Sequence, residues 1–130
     1  MLDRKGKGTN AERELIHMFW ANDWAAVRVA GSGSSRYPSP DIVASNNQRK
    51  LAVECKSTKE LSKYLNKAAV EQLKTFALKF GAEPWLAVRF DKIKWFFLSL
   101  EDLKETEKGF AVSEQLARSR GLLFEELIKF

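Results

Sequence analysis

The stretch SPDIVASNNQRKLAVECKS, residues 39–57, constrains the fold more than any other segment. Two apolar runs, about 41–45 and 49–56, flank the turn former Ser45-Asn46-Asn47, which is the pattern of a β-hairpin. Pro40 cannot donate to a strand ladder and suits a strand entry. Charges break the apolar pattern where a sheet should be burying itself. Asp41 opens the first run, and Glu54 and Lys56 interrupt the second. Side chains alternate across a strand, so Ala52, Glu54 and Lys56 share one face and Leu51, Val53 and Cys55 the other. Cys55 therefore belongs to the core side as a small apolar residue. Glu54 and Lys56 stand ~7 Å apart along the strand, and the hairpin can bring Asp41 beside them.

The rest of the chain supplies a frame for that hairpin. Residues 9–22 read as a helix, with Thr9 as N-cap and Glu12 at capping-box spacing. Ala11, Leu15, Ile16, Met18 and Phe19 share one face of it, and His17 falls on the polar side. WAAVRVA, 24–30, reads as a strand, and GSGSSRYPSP, 31–40, as a loop. Asn66 caps a helix running to Phe80, where Gly81 stops it. Its buried stripe is Ala69, Val70, Leu73, Phe76, Ala77 and Phe80. PWLAVRF, 84–90, and KWFFLSL, 94–100, are two further strands joined by a tight Asp91-Lys92 turn, and GLLFEELIKF, 121–130, is read as a final helix. This order predicts one α/β domain over 1–130, with a central mixed β-sheet flanked by helices.

Composition narrows the chemistry. No apolar run approaches the ~20 residues a membrane span needs, and no membrane partner is expected. The N-terminus MLDRKGKGTN lacks the apolar core of a secretory signal, so the expected compartment is the cytoplasm. One cysteine excludes an intrachain disulfide, and one His with one Cys cannot build a structural zinc site. A Ser-His-Asp triad is allowed by count, but no GxSxG elbow is present. Lys and Arg outnumber Asp and Glu by 22 to 17, a net charge of +5, which suits an anionic partner such as nucleic acid.

Two carboxylates held together repel, and burial penalises both. A divalent cation removes both problems. Mg²⁺ takes oxygen ligands and keeps waters or substrate phosphate in its shell. It lowers the pKa of bound water and stabilises charge on phosphate. Lys56 can orient the attacking water or neutralise the phosphorane. These are the parts needed to hydrolyse a phosphodiester. A lone ExK triplet means little, but Pro-Asp, then Glu-x-Lys across a hairpin, is more specific. Glu12 falls within its helix's apolar face and is a third acid for the cluster, besides its role as partner to Thr9. Arg28 shares a strand face with Ala26 and Ala30, where it can meet the scissile phosphate or pair with an acid. The GSGSS loop precedes prolines instead of a helix and is not a nucleotide loop, but its amides and serines could hold a DNA phosphate.

The blocks AERELI, VRVAGSGS, PDIVA, VECKS and FGAEPWLAVRF, in that order, resemble the archaeal Holliday junction resolvases, within the restriction-endonuclease-like superfamily marked by PD-(D/E)xK. The resemblance covers most of residues 4–100, and residues 110–130 diverge most. It implies a homodimeric endonuclease that cuts four-way DNA junctions symmetrically, using Mg²⁺ with Mn²⁺ able to substitute. It places the catalytic residues on Glu12, Asp41, Glu54 and Lys56, with metal held by Glu12, Asp41 and Glu54. The family's loop serine falls on Ser34 or Ser32, with Ser34 preferred. It also carries over Arg13, beside the helix acid, and Arg28, the strand arginine; these, with Ser32 and with Arg4, Lys5, Lys7 and Arg36, which cluster towards the expected site, are the DNA-binding candidates. The alternatives are another repair or restriction nuclease of the same superfamily, or an inactive DNA-binding homologue.

A junction needs two nicks related by its own two-fold axis, which an isologous dimer supplies. The expected dimer surface is surplus apolar area on Trp85, Trp95, Phe96 and Phe97, with Leu123, Phe124, Leu127, Ile128 and Phe130 in the tail. The competing expectation is that the tail covers that sheet face within one chain.

Overall fold

The computed structural model describes residues 4–31 and 36–129, with side chains from Asn10 onward. Helix α1 spans Arg4–Ala21 and is followed by β1 (Ala25–Arg28), β2 (Ile42–Ser45) and β3 (Lys50–Thr58). A short strand β4 (Ser62–Asn66) leads into α2 (Lys67–Phe80), then β5 (Glu83–Phe90) and β6 (Trp95–Leu98). The chain ends through β7 (Lys104–Glu105), β8 (Gly109–Ser113), α3 (Glu114–Arg120) and α4 (Phe124–Leu127). The main sheet has the order β1-β2-β3-β5-β6, and a smaller one the order β4-β8-β7. β3 and β5 are parallel, while the other pairs are antiparallel, so the main sheet is mixed as expected.

Local chemistry accounts for the hairpin and for α2. The Asn46 side chain accepts from the amides of Gln48 (3.0 Å) and Arg49 (2.7 Å), and Ser45 Oγ accepts from Asn47 N–H, which closes the β2–β3 turn. Asn47 adopts φ 81°, a conformation asparagine tolerates. Asn66 caps α2 by accepting from Ala69 N–H, and Gly81 ends it at φ 77°, a left-handed position that glycine takes without strain. Asp91 and Lys92 both take positive φ in the tight turn between β5 and β6.

Two apolar layers sandwich the main sheet. On one face Ala11, Leu15 and Phe19 of α1 and Phe124 and Leu127 of α4 meet Ala26, Ile42, Leu51, Val53 and Phe97. On the other, Val70, Leu73 and Ala77 of α2 join Leu65, Val112 and Ala117 over Ala52, Leu86, Val88 and Leu98.

Several expectations are corrected. Helix α1 begins at Arg4, so Thr9 lies inside it and cannot be its N-cap. The first strand is shorter than 24–30. Phe80 belongs to α2's stripe by periodicity but is 49% exposed, because the sheet beneath it ends in the small residues of β1 and β2. The final helix is only Phe124–Leu127; Leu122 first pairs with Phe97 as an isolated bridge. The aromatic surplus is spent inside the chain. Trp95, Phe96 and Phe97 are buried, and α3 and α4 cover them with Ala117, Phe124 and Leu127. The Trp85 ring packs on the same core, as do Ile128 and, on the opposite face, Leu123. Phe130, Ser32 and Ser34 lie outside the described residues.

Candidate active site

The hairpin does bring its charges together. Asp41 precedes β2 by one residue, and its amide donates to Val53 O at 3.1 Å while its carbonyl accepts from Val29 N–H at 2.8 Å. Backbone bonds on both sides thus fix it between β1 and β3. Its carboxylate accepts from Cys55 N–H at 2.8 Å, which holds it over the end of β3. Asp41 and Glu54 are in side-chain hydrogen-bond contact, and Lys56 Nζ stands 3.7 Å from Glu54 Oε2.

Electrostatics follow from this crowding. Burial first, and then the neighbouring Asp41 charge, push the Glu54 carboxyl up to about 7, against a partial opposing effect of Lys56. The Glu54 side chain is 21% exposed. The Cys55 thiol is raised well above its ordinary value by burial and then by the surrounding acids Asp41, Glu12 and Glu54. The side chain is half-buried and packs against the core, on the strand face expected for it.

Glu12 projects from α1 towards the same place but is already engaged. Arg28 Nε donates to its Oε1 at 3.0 Å. Burial and the Asp41 charge raise the Glu12 carboxyl, while Arg28 and Lys56 pull it down. Glu12 is thus an electrostatic neighbour of the hairpin acids. The expected three-acid cluster is not assembled: among the described residues no group of three His, Cys, Asp or Glu side chains is placed to hold a metal ion. The Glu12 carboxylate is engaged by Arg28 instead. The donor set on the hairpin is two hard carboxylates that resist joint ionisation. That chemistry fits a divalent cation bound through one or two carboxylates, with water and phosphate completing its shell.

The remaining candidates lie on α1 and in the segment before β2. Arg13 is exposed on α1, and Arg36 is exposed with its guanidinium over the Tyr37 ring. Arg4, Lys5 and Lys7 occupy the first turns of α1. Two ion pairs that join separate elements were not anticipated. Arg89 of β5 pairs with Glu14 of α1, and stacks over Trp95. Arg49 pairs with Glu83 through two 2.8 Å bonds, donates to Leu127 O at 2.7 Å and lies over Trp24. The signal for the first was an arginine inside the apolar run WLAVRF, where an unpaired charge would be costly.

A family model described as archaeal Holliday junction resolvase (Hjc) matches residues 3–130. The chain belongs to that family. Among its relatives, crossover junction endodeoxyribonuclease Hjc of Archaeoglobus fulgidus is 45% identical over 129 residues, spanning 94% of this chain and 95% of the relative. The Sulfolobus acidocaldarius enzyme of the same name is 33% identical, over 99% of this chain and 91% of its own. The solved structure of Archaeoglobus fulgidus Hjc, described as a Holliday junction resolvase from an archaeal hyperthermophile, superimposes with a TM-score of 0.86 at 44% identity. It covers 92% of this chain and 98% of that one. The architecture is therefore the restriction-endonuclease-like one read from the sequence, and the chain is a nuclease by family.

Proposed function

We propose that this resolvase-family chain is a structure-specific endodeoxyribonuclease that resolves four-way DNA junctions by metal-dependent phosphodiester hydrolysis, with paired symmetric nicks. The observation that carries the reading is the contact of Asp41 with Glu54 beside Lys56, which raises Glu54 to about 7. A carboxyl pair in that state is frustrated without a cation.

Asp41 and Glu54 would hold Mg²⁺, with Mn²⁺ able to replace it. The ion would supply a more acidic bound water and charge stabilisation on phosphate. The chain's own groups do the rest. Lys56 stays beside Glu54, where its ammonium can orient water and offset charge growing on the phosphorus oxygens. The Asp41 carboxylate keeps its place through Cys55 N–H. Glu12 tunes this end of the sheet through its charge, Ser34 is the catalytic loop serine, and Ser32, two residues earlier, is a DNA contact. Arg4, Lys5, Lys7, Arg13, Arg28 and Arg36 would grip phosphates. The protein would work in the cytoplasm on branched DNA; no described helix is long and apolar enough to cross a membrane.

We also propose that it acts as a homodimer, through a surface other than the aromatic tail first expected. Support comes from the outer face of β1 and β2 beside the end of α2. Val27 and Phe80 are exposed there. Phe80 stands between cavities of 270 and 350 Å³ and lines both. Ala25, Ala26, Ala44 and Ser45 line the first, and Tyr37, Pro38 and Phe76 the second. A projecting ring beside hollows of that size is self-complementary, as an isologous contact requires.

The test compares a four-way junction with plain duplex of the same sequence, with and without Mg²⁺. Paired nicks on the junction alone, and only with metal, are expected. Equal cutting of duplex, or junction cutting in chelator, would reject the reading.

A further inference from the structure

The smaller sheet carries chemistry that the cleavage site does not use. Its register sets Tyr64 opposite Ala111 and Ala111 opposite Lys104, one row across three strands. Ser62 lies opposite Ser113 at the end of the sheet. Leu65 and Val112 are buried on the inner face, so alternation turns that row outward. A cavity of 430 Å³ opens over it, lined by Ser62, Tyr64, Asp102, Lys104, Thr106 and Ser113 among others. Tyr64 and Lys104 stand two strand spacings apart, roughly 10 Å, with only the Ala111 methyl between them.

The lining is biased towards donors. Ser113 Oγ accepts from Leu116 N–H at 3.0 Å, and Thr106 Oγ1 accepts from Gly109 N–H at 3.1 Å. Each hydroxyl therefore has its proton left to offer. Ser62 and Tyr64 add hydroxyls, and Lys104 adds an ammonium with no ion-pair partner among the described residues. Asp102 is the acid on the lining, and it already accepts from Ser99 Oγ at 3.1 Å. The trough is neutral overall, one cation against one acid, and what it offers an acceptor-rich strand is the Lys104 ammonium, four hydroxyls and one exposed ring (Tyr64 is 72% exposed).

We propose that this outer face is a second seat for the DNA backbone, holding phosphodiesters of a junction arm as it leaves the cleavage site. The proposal rests on the junction-cleaving reading above. Its reach is set by the chain. Five residues lie between Lys56 and Ser62, six steps that span at most ~20 Å when extended. The face therefore lies no more than about six base-pair steps, at 3.4 Å each, from Lys56. Contacts so placed carry no sequence information; they set the arm's direction relative to the scissile phosphate.

The experiment is hydroxyl-radical footprinting and a salt titration of junction binding, on the wild type, Lys104→Ala, Lys104→Arg and Tyr64→Ala. The wild type should protect a second patch within about six base pairs of the cut. Lys104→Ala should lose that patch, bind roughly 5–10-fold more weakly at 0.1 M salt, and show a salt slope shallower by about one. Lys104→Arg should restore both, and Tyr64→Ala should lose the patch without changing the slope. An unchanged footprint, affinity and slope in Lys104→Ala would overturn the seat while leaving the parent reading intact. A third arm titrates inorganic phosphate and follows Tyr64 and Lys104 by NMR. Saturable shifts there, with a DNA footprint indifferent to Lys104, would make it a free-anion site and likewise overturn the proposal. Wild-type protein that does not prefer junction to duplex would instead sink the parent reading.

Discussion

Replacing Glu54 with Gln should stabilise the metal-free protein at pH 8 while destroying its activity. In the folded chain the Glu54 carboxyl sits at about 7, against an ordinary value of 4.5. Folding therefore holds this proton more tightly than the unfolded chain does. Between pH 4.5 and 7 the folded state binds more protons, so stability falls as pH rises through that window, and above 7 the loss is complete. The gap between the two values corresponds to about 3 kcal/mol. The side chain is only 21% exposed, so solvent screening removes little of it. Glutamine resembles the protonated acid and ionises in neither state.

Urea denaturation of metal-free wild type and Glu54→Gln at pH 4.5 and pH 8 measures this directly. The stability difference should grow in favour of Gln by about 3 kcal/mol between the two pH values, roughly 10 °C in Tm for a chain of this size. Comparing differences cancels carboxylates remote from Glu54, such as Glu83, whose carboxyl Arg49 holds below the ordinary range and whose stabilisation is lost towards acid. Mg²⁺ at pH 8 should then raise the stability of wild type but not of Glu54→Gln, because only the ionised pair binds it. A gap that stays within about 1 kcal/mol across the range, or an equal Mg²⁺ response in both proteins, would refute the idea of a frustrated carboxyl pair awaiting a cation.

Other expectations follow from the same geometry. Asp41→Asn should abolish junction cutting in Mg²⁺ and leave junction affinity nearly intact by gel shift, since affinity comes from lysine and arginine contacts to phosphate. Ca²⁺ should support binding without cutting, because its longer, looser coordination misplaces water and phosphate. Arg49→Leu should cost about 2–3 kcal/mol in urea denaturation by breaking the Glu83 pair and the bond to Leu127 O together. If the proposed dimer forms through this face, Phe80→Glu should leave a folded monomer by sedimentation, with single nicks replacing paired cuts on a cruciform.

The hairpin was legible because its signals are local. Period-two alternation, an Asn-rich turn and a proline entry all sit within 19 residues, and the turn side chains bond their own backbone. The same holds for α2, whose cap, stripe and terminating glycine are contiguous in sequence. The smaller sheet was not legible. Its strands are separated in sequence by α2, β5 and β6, and β7 is two residues long. No periodicity can be read from two residues. Thr9 misled for a related reason: a cap is defined by the turn before it, and the sequence before Thr9 contains two glycines that only tertiary context makes helical.

The candidate site divides along the same line. Asp41, Glu54 and Lys56 were found together because the hairpin register alone joins them. Glu12 and Arg28 were both singled out, but their mutual pair depends on how α1 crosses the sheet, which no local pattern encodes. That pair changes the chemical reading of the site. An acid neutralised by its own arginine contributes less to a cation than a free acid would, and an arginine so engaged contributes less to phosphate. Each can be released only if the other finds a new partner, so cation and scissile phosphate would recruit Glu12 and Arg28 together or not at all. Arg28→Ala should therefore do more than weaken DNA binding. It should free Glu12 for the metal, tightening the cation while loosening the junction, and the opposite movement of those two affinities is what an independent phosphate clamp at Arg28 would not produce.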